Sequence, residues 1–174
     1  MIGVRLLGIG TVAVLGLAGC ATAPAGTLPA PVASTGAAPS PSRTGPVLGQ
    51  SAPADNGQVE ATVFEYRQPV ADAAPSGGVW GAADVQVCVV RSAIFDVTIS
   101  QGPWLVVAPD GGTVGPRPVS DVRFPQPGYP TDHRRLAPGQ CVRGWLMFAL
   151  PGTARVVAVR YAPAGGRPIN WPVG

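Results

Sequence analysis

From Gln58 onward the apolar residues come in short alternating runs, each cut off by Gly or Pro, and this punctuation excludes helical folds before any other feature is weighed. Val59-Glu60-Ala61-Thr62-Val63-Phe64-Glu65-Tyr66 places Val59, Ala61 and Val63 on one face and Phe64 and Tyr66 on the other. In the run Ala83 to Arg91, Val85, Val87 and Val89 point one way and Asp84, Gln86, Cys88 and Val90 the other. Phe95, Val97 and Ile99 mark a third run, and Trp104 to Ala108 a fourth that stops at the turn Pro109-Asp110-Gly111-Gly112. Prolines 116, 118, 125, 127, 130 and 138 exclude a central strand between 115 and 138. Gln140 to Leu150 is the most apolar run, and Arg155 to Tyr161 is expected to pair with it across Pro151-Gly152. The chain closes on Trp171-Pro172-Val173-Gly174. About seven short strands with turn-bounded spacing predict an all-β chain, an antiparallel β-sandwich over residues 58–174, with enough residues for one two-sheet core.

The first 57 residues obey different rules. Residues 1–19 carry one charge, Arg5, followed by the uncharged apolar run Leu6 to Gly16. That run is shorter than the roughly 20 apolar residues a membrane-spanning helix needs, so it reads as a signal peptide. Leu17-Ala18-Gly19-Cys20 follows at once and resembles the lipobox of bacterial lipoproteins. The resemblance implies diacylglyceryl transfer to the Cys20 thiol and cleavage before it, placing the mature protein on the extracytoplasmic side of the cell membrane. The competing reading is an ordinary signal peptide with a chance cysteine. Residues 20–57 are then a lipidated tether rich in Ala, Pro, Ser, Thr and Gly, with only Arg43 and Asp55 charged. Such a stretch cannot bury enough apolar surface to offset its chain entropy, so disorder is expected.

Composition narrows the partners. Lys is absent, and the arginines are scattered, with Arg134-Arg135 the one adjacent pair. The formal net charge of +3 includes Arg5, so the mature chain carries 3 − 1 = +2. Nucleic-acid binding needs a dense basic footprint that this chain lacks. Of three cysteines, assigning Cys20 to lipid leaves Cys88 and Cys141. In an oxidising compartment they are expected to form a disulfide, the alternative being two buried free thiols. They make a poor zinc site, because four ligands are usual and the chain has one His.

The segments VQVC from Val85, PWLVVAPDGG from Pro103 and LAPGQCVRGWLMFALPGTARVVAVRYAP from Leu136 are similar to small actinobacterial lipoproteins with an immunoglobulin-like domain of unknown function. Their relatives include secreted mycobacterial antigens of the same sandwich fold. The late signature is Leu136, Pro138-Gly139, then Gly144-Trp145-Leu146-Met147-Phe148-Ala149-Leu150-Pro151. The resemblance implies an extracellular immunoglobulin-like sandwich acting as an interaction or envelope module, with no established reaction. The long Pro-rich segment 115–130 departs from the pattern.

No catalytic constellation emerges. His133 is the single His, in the polar loop Tyr129-Pro130-Thr131-Asp132-His133-Arg134-Arg135, and no G-x-S-x-G accompanies it. Asp84, Asp96, Glu60 and Glu65 read as polar faces of strands, and Asp110 as a turn former. No phosphate loop or calcium loop is visible, and no metal or cofactor is expected. Trp104 and Trp145 read as core, while Trp80 and Trp171 lie near loops with exposure expected. Tyr129, Arg134 and Arg135 form the candidate partner-binding surface, suited to a protein or a cell-wall polymer. The leading expectation is therefore a tethered binding or structural module. The alternative is an enzyme, or an enzyme accessory, acting on the cell wall.

Overall fold

The computed structural model describes residues 45–70, 77–119 and 121–174. The signal peptide, the lipobox Leu17-Ala18-Gly19-Cys20 and the tether up to residue 44 lie outside the described residues. The strands are β1 (Ser51–Ala54), β2 (Val59–Arg67), β3 (Gly78–Val89), β4 (Val97–Ile99), β5 (Trp104–Val107), β6 (Thr113–Val114), β7 (Arg134–Leu136), β8 (Cys141–Pro151), β9 (Ala158–Tyr161) and β10 (Ile169–Pro172). They form one four-stranded sheet in the order β1-β2-β3-β8, a second in the order β10-β9-β5-β6, and a small pair β4-β7. Every strand pairing is antiparallel.

The inner faces of the two large sheets share one core. Val59, Ala61 and Val63 of β2, Val85, Val87 and Val89 of β3, and Leu146, Phe148 and Leu150 of β8 meet Trp104, Val106, Val159, Tyr161 and Trp171 of the second sheet. The alternation read in β2 holds only as far as Val63. A β-bulge between Val63 and Glu65 inserts one residue, which re-aims every side chain beyond it. Tyr66 therefore returns to the core side, while Phe64 remains outside under Arg143. A Cβ built at Gly81 lies 2.5 Å from Tyr66 Oη, so β3 needs a glycine where Tyr66 crosses it.

Three expectations need correction. The sandwich begins before residue 58: β1 lies inside the span assigned to the tether and pairs with β2 from Ser51↔Thr62 to Ala54↔Val59. Its alternating Ala52 and Ala54 are buried, although small residues and Pro53 give the segment the composition of a linker. Next, β9 does not pair with β8. It pairs with β5 and β10 in the opposite sheet, because residues 152–157 carry the chain across the sandwich and Val157 N donates to Val107 O at 2.8 Å. Third, Trp171 is fully buried, with its Nε1 donating to Gln50 O at 2.9 Å, whereas Trp145 is only partly buried. The expectation that no central strand lies between 115 and 138 holds, because the short strand β7 pairs only with β4, outside the two main sheets.

The Pro-rich segment has a structural role. Phe124 packs with Ala82 and Met147, and with the partly buried Trp80, Trp145, Val119 and Val70, forming a second small core on the outer face of β3 and β8. Its backbone then lines the free edge of β8. Arg117 N donates to Met147 O at 2.7 Å, Tyr129 N to Trp145 O at 2.9 Å, and Trp145 N to Pro127 O at 2.9 Å. The segment thus closes an edge that would otherwise present unpaired backbone groups.

Candidate functional site

Of the sequence-derived site residues, the two described cysteines behave as expected. Cys88 and Cys141 are joined by a disulfide, 53 residues apart in sequence. They are register partners on neighbouring strands, on the last rung of the β3–β8 ladder, and Cys141 is exposed. The bridge therefore ties two strands of one sheet rather than the two sheets.

The three residues of the candidate partner surface differ in exposure, although Tyr129 and Arg134 line one groove. Tyr129 is 2% exposed and belongs to the core. Its burial leaves the side chain almost no free surface for a partner, while its carbonyl accepts from Gln101 Nε2 at 3.0 Å and its amide donates to Trp145 O at 2.9 Å. The error has a physical source: Pro127 to Pro130 marks a turn, but not the fact that the turn folds inward over Gly144. A Cβ at Gly144 would lie 2.5 Å from Tyr129 N, so only glycine allows this approach. Arg134 and Arg135 are exposed on β7. Arg135 pairs with Asp96 at 3.3 Å across the β4–β7 ladder.

Arg134 lines an open groove of about 720 Å³ with Val119, Asp121, Gln126, Pro130 and Asp132. Asp121 is clamped by Arg123, whose Nη2 donates to Oδ2 at 2.6 Å. That side-chain bond, with a backbone bond from Arg123 N, holds the Asp121 carboxyl down at about 2. Val122, at the groove rim, is 94% exposed. The groove thus offers a fixed anion, a carboxylate at Asp132, a guanidinium at Arg134 and apolar walls. His133, beside it in sequence, is exposed, as expected of a loop His. Among the described residues no three of His, Cys, Asp and Glu gather as a metal site.

A second constellation escaped the sequence reading. On the outer face of β2, β3 and β8, Arg143 donates to both carboxylate oxygens of Asp84, with Nη2–Oδ2 at 2.6 Å and Nε–Oδ1 at 3.0 Å. Its guanidinium lies 3.7 Å from the centre of the Phe64 ring. Arg67 lies 4.9 Å from the Trp145 ring centre and is held by Glu65 at 2.6 and 2.8 Å. The bond from Arg67 lowers the Glu65 pKa. Each arginine is thus positioned by a carboxylate and an aromatic face together. The signal was available: once Cys88 opposes Cys141, Arg143 falls opposite Gln86 and diagonal to Asp84.

These features define an all-β immunoglobulin-like sandwich domain with an open polar groove. Among solved structures, a secreted protein from Mycobacterium tuberculosis, MPT63, is similar to this chain at a TM-score of 0.52 and 17% sequence identity, over 74% of this chain and 95% of that chain. At this identity the likeness establishes the fold, in agreement with the relation expected from the strand pattern. No protein-family model and no curated protein matches the sequence.

Proposed function

We propose that this chain is an extracytoplasmic lipoprotein, held to the cell membrane through diacylglycerol on Cys20, whose sandwich is a binding or structural module for a protein or cell-envelope polymer. The observation that carries the reading is the groove beside Arg134: open, mixed in charge, and walled by a segment whose backbone is pinned to β8. Pinned walls limit the ordering cost of binding. The lipobox, the disulfide and the fold shared with a secreted protein support the address. No reaction is assigned to the domain.

Two experiments test the two halves. Cys20→Ser is expected to abolish metabolic labelling by a palmitate analogue, and persistent labelling rejects the anchor. Proximity crosslinking in the native envelope is expected to capture a reproducible neighbour that Arg134→Glu loses. A neighbour set unchanged in that variant, or none in the wild type, rejects the groove as the binding site.

A further inference from the structure

We infer that the apolar tip between β3 and β4, Ile94-Phe95, inserts into the lipid surface to which Cys20 anchors the chain. The inference rests on the lipoprotein reading and adds a second membrane contact to it. Ile94 is 82% exposed and Phe95 68% exposed, two large apolar side chains adjacent at the apex of one connection. The base beneath them is fixed. Ala93 N donates to Val90 O at 3.1 Å, Ala93 and Val97 pack against the core, and Ile99 is buried. The tip is therefore held out from the domain, and isolated exposed apolar side chains of this size in a consecutive pair are costly to keep in water.

The occupant follows from the tether. Between Cys20 and the first described residue, Gly45, lie residues 21–44. A chain of that length reaches at most about 80 Å. The domain is thereby kept within about 80 Å of the bilayer, which makes lipid the apolar phase at highest effective concentration. The folded chain starts beside β10, and β1 then runs to the turn Asp55–Gly57, which is bonded to the base of the tip through Val90 N–Gln58 O at 3.0 Å. Residues 46–50, one four-residue strand and a turn lie between Gly45 and the Gln58 contact at the base of the tip, so the anchor can lower the tip onto the membrane. The flanking charges include both signs: Arg135 pairs with Asp96, and Arg91 lines one recess with Glu60. Docking is thus apolar and indifferent to headgroup charge.

The test uses the full lipidated chain in phosphatidylcholine vesicles containing nitroxide-bearing lipid. A polarity-sensitive fluorophore is placed at Ile94→Cys or at Thr153→Cys, an exposed position at the far end of β8. The label at 94 is expected to shift to the blue and to be quenched by the nitroxide, with neither change at 153. Phe95→Asp, added to Ile94→Cys, is expected to remove most of the quenching while the protein still sediments with the vesicles. Equal, unquenched emission at both positions from vesicle-bound protein overturns the inference and leaves the anchor standing. A chain that does not sediment with vesicles overturns both. A label at 94 that responds to added envelope protein but not to lipid assigns the tip to a protein partner instead, and overturns it.

Discussion

The three tyrosines of the chain, Tyr66, Tyr129 and Tyr161, all face the core, and burial raises the pKa of each. Tyr161 is pushed up to about 12, with the Asp55 charge adding to burial, and the other two are pushed higher. Trp104 packs against Tyr161 at a tilt of 58° with ring centres 4.7 Å apart, and its ring centre lies 6.2 Å from that of Trp171. A phenol whose pKa is raised by folding contributes stability that is fully present below its unfolded value of about 10 and is lost as pH rises through the folded value. Chemical-denaturation midpoints are therefore expected to hold to about pH 10 and to fall between about pH 10 and 12. Over that window phenolate absorbance should appear only together with loss of tertiary structure. Independent phenolate formation in a still-folded protein would show that these rings are not held in the core.

At the scale of elements, the edge of β8 decides most. Gly144 lets residues 127–129 lie against it, and the bonds Tyr129 N–Trp145 O and Trp145 N–Pro127 O close the ladder. Gly144→Ala places a methyl group where the Tyr129 backbone runs, and overpacking of this kind costs about 1–3 kcal/mol. Hydrogen exchange is expected to accelerate at Tyr129 and Trp145, with the β2–β3 amides unaffected. Unchanged protection at Tyr129 would mean that the segment is held by Phe124 in the outer cluster rather than by the edge. Element existence was largely legible here, because β2 and β3 contain period-two apolar patterns and β5 and β8 are apolar runs bounded by turns. Partners were not. Ala52 and Ala54 pack in the core from a segment composed like a linker, and Tyr66 changes face through a bulge that leaves no residue-type signature.

For the whole molecule, the disulfide sits on the terminal rung of a ladder that reaches back to Gly78↔Pro151. Its native contacts are therefore largely duplicated by the ladder, and its stabilisation comes through the unfolded chain. Closing a loop of this length, 53 residues in sequence separation, contributes up to about 4 kcal/mol in the chain-entropy account. Reduced and alkylated protein is expected to keep its native spectrum at room temperature but to unfold at markedly lower urea. Complete unfolding on reduction would show that the two sheets alone do not hold the sandwich together.

The amino-acid sequence by itself determined the all-β class, the expectation that Cys88 pairs with Cys141 and the polar setting of Arg134 and Arg135. These depend on local periodicity, on short motifs, or on the small number of partners available. The tertiary structure alone decided that β9 leaves β8 for the other sheet, that Tyr129 turns inward over Gly144, and that Arg143 and Arg67 stack on Phe64 and Trp145. Each of these is a choice between surfaces of similar polarity brought together by distant residues. Local propensity does not distinguish such surfaces, whereas close packing does.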